Sequence, residues 1–244
     1  IHGIPLAINA GDALHGIVHQ VLLENHQKLG TQKALQVHHH LNLVMQKTFE
    51  GQALDIGWVE KEVFPNREQY QQMIVRKTGW YSGRGPCQCG ALIAGKEGEL
   101  FESLGDFGES LGIGFQIRDD ILNLTESSES NAPEAQDGGY GKEQGGDFAE
   151  GKRTLITIEM LERLNPEEQN RLQSILLKAR TEVKEEEIVW AVEQSERCGA
   201  LDAARLEAQN HAQRASSELS KMPQGSPRKI LEELLGFLAE DRKV

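Results

Sequence analysis

Apolar residues recur at intervals of three and four along most of this chain, and strict alternation is convincing nowhere. From Pro5 to Leu29 they stand at Leu6, Ala10, Leu14, Ile17 and Val21, one stripe on an α-helix that Gly30 closes. Thr31 has the character of an N-cap for a second helix running to about Val59. Pro65-Asn66-Arg67-Glu68 restarts the chain as a third helix. Pro86, within Gly83-Arg84-Gly85-Pro86, is expected to kink or break it. A fourth helix covers Glu97 to Leu124. Thr154 to Lys243 is helical again, with Asn165-Pro166-Glu167-Glu168 as a cap and first turn, and with breaks at Pro223 and Pro227. The expected fold class is therefore all-α. The 244 residues suffice for one domain over 1–244, carrying a mobile acidic and glycine-rich loop at 125–146.

A net charge of −12 argues against a general nucleic-acid binder, though it leaves room for a local basic pocket. Three sparse cysteines, Cys87, Cys89 and Cys198, point to a reducing compartment and to packing roles. No apolar run approaches the length of a membrane span. The first residues do not form a signal peptide and lack an initiator Met, so the expectation is a fragment or a processed product. His15 and His19 have zinc spacing, and His26 falls on the same helical face. With no third ligand or organised second shell in evidence, solvated or capped histidines are the default. His38, His39 and His40 point in three directions round a helix and make no chelating cluster.

The glycines carry a packing message. Each costs about 1 kcal/mol against Ala inside a helix. Gly105, Gly108, Gly112 and Gly114 on one helix thus imply tight helix–helix contact, and Gly51 beside Gln52 implies the close approach of a neighbouring backbone.

The chemistry concentrates between Phe115 and Leu124. Gln116, Asp119 and Asn123 share one helical face, and Asp120 lies about 100° round from Asp119. Adjacent carboxylates in an apolar helix are costly to bury unless a cation meets them, and hard oxygen ligands favour Mg²⁺. Alone, such a pair reads as a cap or a solvated turn. Further along come Tyr140-Gly141-Lys142 and Gly145-Gly146-Asp147, then Gly151-Lys152-Arg153-Thr154. There glycine amides can approach an anion, with Lys142, Lys152 and Arg153 as counter-charges.

Together these stretches resemble the trans-isoprenyl diphosphate synthases. Phe115-Gln116-Ile117-Arg118-Asp119-Asp120-Ile121-Leu122-Asn123 looks like their second aspartate-rich motif, and Lys77-Thr78 like their Lys-Thr pair. Gly51-Gln52-Ala53-Leu54-Asp55 resembles their Gly-Gln helix. Gly141-Lys142, Gly145, Asp147 and Gly151-Lys152-Arg153-Thr154-Leu155 match their Gly-Lys…Gly-x-Asp…Gly-Lys-Arg-Thr-Leu run. Ala7 to Leu14 matches the helix that follows their first aspartate motif. Each motif is weak alone, and the ordered set is specific. The resemblance implies antiparallel helices around a central cavity, of the isoprenoid synthase type. It also implies Mg²⁺-dependent condensation of isopentenyl diphosphate with an allylic diphosphate to a short-chain product of the farnesyl or geranylgeranyl type. It assigns metal binding to Asp119 and Asp120, diphosphate binding to Lys77, Lys142 and Lys152, a place beside the reacting allyl group to Gln116 and Thr78, and cavity lining to Gln52. A cytoplasmic homodimer without stable membrane insertion goes with it.

Two departures stand out. Asn123 replaces a third aspartate, and its carbonyl is expected to reach a metal-bound water. The family's first aspartate-rich motif, which lies before the segment resembling Ile1 to Asp12, is absent from this sequence. The alternatives are a non-catalytic regulatory subunit of a heteromeric synthase and, with less support, a terpene cyclase on the same fold.

Overall fold

The computed structural model describes residues 3–125 and 144–239, with side chains to 236, and every regular element among them is helical. The first four are α1 (Gly3–Glu24), α2 (His26–Leu29), α3 (Thr31–Glu60) and α4 (Arg67–Ile74). A π-helical segment, Val75–Arg84, continues α4 without a break and leads into α5 (Gly85–Ile93). Next come α6 (Glu99–Thr125) and the short α7 (Gly146–Ala149). The rest is α8 (Leu155–Arg163), α9 (Pro166–Leu176), a 3₁₀ turn at Arg180–Glu182, α10 (Glu185–Arg197), α11 (Ala200–Ser220) and α12 (Ser226–Ala239).

Local chemistry explains most of the boundaries. Asn66 accepts the Gln69 N–H while the Gln69 side chain answers the Asn66 N–H, a reciprocal cap that starts α4. Asn165 and Glu168 do the same for α9, with Pro166 in its first turn. Thr31 is no cap: Gly30, at φ 79°, precedes the helix and Thr31 is its first residue. α1 ends at Glu24 and His26 opens α2, with its Nδ1 2.8 Å from the Leu23 carbonyl oxygen. Pro86 does not interrupt the helical path. It sits in the first turn of α5, where its missing N–H is harmless, and the chain passes there from π to α winding.

α6 is the central element, packed against the π-helical segment, α5 and α11. Its buried Ile113, Ile117, Ile121 and Leu124 join Tyr70, Met73 and Ile74 of α4 and Leu155, Ile156 and Met160 of α8 in the main core. The glycine expectation holds at the crossing. A Cβ on Gly83 would stand 1.7 Å from the Gly108 carbonyl oxygen, and one on Gly112 would stand 2.6 Å from Ser82 Oγ. Side chains there would force the helices apart. By contrast, no residue of α1 is buried, and Ile4, Leu6, Ile8, Leu14 and Ile17 stay exposed along it.

Candidate active site

The C-terminal half of α6 presents its acids where burial makes them expensive. Asp120 is only 9 % exposed. Burial raises its carboxyl to about 7, the charges of Asp147 and Asp119 push the same way, and the Gln116 hydrogen bond and the Lys152 charge pull back. Gln116 Nε2 donates to Asp120 Oδ1 at 3.0 Å, so Gln116 orients that carboxyl, and Asp119 beside it is half-buried.

Asp147 joins this group through Asn123. The Asn123 backbone carbonyl accepts the Gly145 N–H at 2.8 Å, and its side-chain oxygen accepts the Asp147 N–H at 3.1 Å. Gly145 turns there in the left-handed region, at φ 73°. Asn123 is thus a buried clip that docks α7 on α6, and its oxygen is committed to the Asp147 backbone. The Asp147 N–H takes one lone pair of that oxygen, a structural role that the motif did not announce. Lys152 Nζ lies 2.5 Å from Asp147 Oδ1 and 3.1 Å from Glu150 Oε2, and Arg180 holds the other Glu150 oxygen at 2.6 Å. Burial works against the Lys152 charge, but Asp147 and then Glu150 outweigh it and hold the ammonium above its usual range.

Lys77 stands on the π-helical segment, which packs against both α3 and α6. A Cβ on Gly51 would lie 2.3 Å from the Lys77 backbone nitrogen, so α3 touches that segment backbone to backbone. This approach brings half-buried Gln52 alongside and lets Asp55 pair with the Lys77 ammonium. Thr78 is half-buried, and its carbonyl accepts the Ser82 hydroxyl at 2.6 Å. Tyr70, 2 % exposed, links the two halves: burial raises its phenol well above 10, and both Asp120 and Asp55 add to that. Periodicity marks Tyr70 only as a core position, and Asp147 only as part of a loop motif. Their place beside Asp120 follows from contacts between elements distant in sequence.

Arg153 departs from the expected role of a counter-charge. It is 1 % exposed, donates from Nε to the Val63 carbonyl at 3.1 Å and from Nη1 to the Gly151 carbonyl at 2.5 Å, and stacks on Phe64. It ties the Val63 and Gly151 backbones together from a buried position instead of standing open as a counter-charge. Lys142 and the loop assigned to 125–146 lie outside the described residues except at Thr125 and Gln144–Gly146.

Among the described residues, no three His, Cys, Asp or Glu side chains form a ready cage for one ion. Magnesium does not require one: it takes one or two carboxylates, keeps several waters and shares substrate phosphates. Asp120, an acid raised to about 7 by burial first and by the charges of Asp147 and Asp119 after it, fits such an ion.

The chain is similar to known proteins in sequence and in fold. Residues 1–194 match the polyprenyl synthetase family model. A short-chain isoprenyl diphosphate synthase of Methanothermobacter thermautotrophicus is 32 % identical over 238 residues, covering 98 % of this chain and 68 % of that protein. A geranylgeranyl pyrophosphate synthase of Geoglobus acetivorans is 30 % identical over 240 residues, with the same coverage of 98 % and 68 %. The crystal structure of geranylgeranyl pyrophosphate synthetase from Pyrococcus horikoshii superposes with a TM-score of 0.84 at 27 % identity, over 98 % of this chain and 68 % of that one. The chain belongs to the polyprenyl synthetase family and has the all-α isoprenoid synthase fold.

Proposed function

We propose that this chain is the diphosphate-handling part of a prenyltransferase that condenses isopentenyl diphosphate with an allylic diphosphate to a short-chain polyprenyl diphosphate. The observation that carries the reading is the buried Asp120 carboxyl, crowded by Asp119 and Asp147 beside the Lys152 ammonium. Bound divalent metal, which we take as Mg²⁺, neutralises charge developing on the departing pyrophosphate. Asp119 and Asp120 hold it, with Asp147 behind them. Lys77 and Lys152 each exchange a carboxylate partner for a diphosphate oxygen, Asp55 in one case and Asp147 in the other. The resemblance adds Lys142 to that set. Gln116 keeps Asp120 oriented, Thr78 faces the allyl group with it, and Gln52 lines the apolar passage that keeps water from the cation.

The exposed apolar stripe of α1 supports a second copy of the chain as its cover, in a homodimer. Three free cysteines suit the cytoplasm, and no helix among the described residues is long and apolar enough to cross a membrane. A second reading, a regulatory subunit, draws on the same stripe: such a chain would be inert alone and change a partner's rate or product length. The test is Mg²⁺-dependent conversion of labelled isopentenyl diphosphate and an allylic primer, by this chain and by the longest product of its gene. Asp119→Ala should lower kcat at least a hundredfold while leaving the melting temperature in place. Absence of prenyl product from folded protein in both cases rejects the catalytic reading.

A further inference from the structure

Outside this site the helices bring together three imidazoles. His15 and His19 are one turn apart on α1, and their Nε2 atoms lie 3.1 Å from each other. His19 Nδ1 faces His38 Nε2 on α3 at 3.0 Å, and His38 Nδ1 faces the Asn42 side-chain amide at 3.2 Å. His38 is about 20 Å along α3 from Gln52, and α1 packs against α2 and α3. We propose that His15 and His19 chelate a divalent ion of the zinc, cobalt, nickel and copper class through their Nε2 atoms, with His38 and Asn42 as the shell that orients His19.

The separation supports this. Two nitrogens sharing an ion at about 2.0–2.1 Å stand about 3.3 Å apart in a tetrahedral site and about 2.9 Å apart at a right angle. The observed 3.1 Å lies between these. A single ion cannot also take His38, which meets the other nitrogen of His19. His38 instead does what a supporting group does behind a ligating histidine: it fixes ring orientation and tautomer.

The relay has two polarities. Without metal, the Asn42 amide donates to His38, His38 donates to His19 from Nε2, and His19 donates from Nε2 to His15. With metal, the order reverses. His19 donates from Nδ1 to His38, His38 donates from Nδ1 to the Asn42 oxygen, and both Nε2 lone pairs on α1 are free for the ion. Each imidazole keeps one proton throughout. Water completes the coordination from the open side, where the cleft is bounded by Met45, Gln46, Phe49 and Glu50. Glu50 is engaged there by Lys47 and Gln46. Imidazole favours these ions over Mg²⁺, so the pair and the aspartates sort metals by ligand type.

The site is tested by titrating tag-free protein with Zn²⁺ in excess Mg²⁺ at pH 7.5, followed by calorimetry, and with Co²⁺, followed by its visible spectrum. One equivalent should bind and slow amide exchange along α1. His15→Ala or His19→Ala should remove the binding, and His38→Ala should weaken it about 10- to 100-fold. Asn42→Asp should tighten it several-fold, because a carboxylate accepts the His38 proton permanently. A merely structural Asn42 would not produce that gain. Zn²⁺ affinity unchanged in His15→Ala, or Asn42→Asp binding no tighter than the parent, overturns the proposal. Neither readout depends on prenyl transfer, so the proposal stands or falls apart from the catalytic reading.

Discussion

Gly51→Ala is the sharpest test of how the site is held. The added methyl would lie 2.3 Å from Lys77 N, 2.7 Å from Lys77 Cα and 2.9 Å from the Arg76 carbonyl carbon. Comfortable carbon contacts begin near about 3.5 Å, so α3 and the π-helical segment must part by about 1 Å. All three atoms are backbone, so no rotamer change relieves the clash. Overpacking of this kind costs ~1–3 kcal/mol, and its backbone origin places it at the upper end. Alanine returns about 1 kcal/mol of helix propensity, leaving a net loss of about 2 kcal/mol. For a chain of this size that lowers the melting temperature by about 4–8 °C. Gly57 is the control: it lies on the same helix with nothing within 4 Å of its Cβ position. Gly57→Ala should therefore gain about 1 kcal/mol, or about 2–4 °C. Circular dichroism at 222 nm during heating reads both. Under the proposed function, the same displacement moves Lys77 by about 1 Å and should lower kcat about a hundredfold. If the two variants melt together, the contact between α3 and Lys77 is not as close as described, and the account of how Lys77 is positioned fails.

The remaining expectations address charge and burial. Asp120 is raised from 3.8 to about 7, so it contributes fully below pH 3.8, and stability is lost as the pH climbs through 7. Asp120→Asn should therefore stabilise the metal-free protein at pH 8 by up to about 4 kcal/mol and far less at pH 4, with Mg²⁺ narrowing the gap; urea titrations at both pH values decide it. Arg153→Ala leaves the Val63 and Gly151 carbonyls without its donors and opens a cavity over Phe64, so a loss of about 3 kcal/mol or more should appear in the same assay. Burial lowers His40 and His211 below 6.5, the Gly85 backbone opposing this at His40 and Glu207 at His211. Their contribution is complete above pH 6.5 and declines as the pH falls below it, so His211→Phe should flatten the melting temperature between pH 6.5 and 5.

The helices, their Asn caps and the glycine crossings were legible in the sequence because each depends on residues close together in the chain, or on a residue type with one good use. Gly108 in a helix has few explanations besides a touching backbone, and it touches Gly83. The backbone roles of Asn123 and Arg153 went unseen for the opposite reason. A short polar side chain near an acidic motif, and a cation in a Gly-Lys-Arg run, look like ligands until tertiary contacts show the Asn123 oxygen and the Arg153 Nε and Nη1 bonded to backbone. The partnership of His19 with His38 was equally hidden, since it depends on how α1 lies against α3. The π winding of Val75–Arg84 left no trace in composition, because a wider turn uses the same amino acids.

That wider turn makes the segment a counting device. The Gly85 N–H reaches back to the Trp80 carbonyl, five residues away, instead of the usual four. Remove one residue between Lys77 and Gly83 and the stretch can rewind at ordinary pitch with every bond made. Because the wide winding holds one residue more than an ordinary helix would, everything beyond it would keep its phase, whereas the loss of a second residue would turn it by about 100°. The stretch should therefore tolerate the loss of one residue far better than the loss of two.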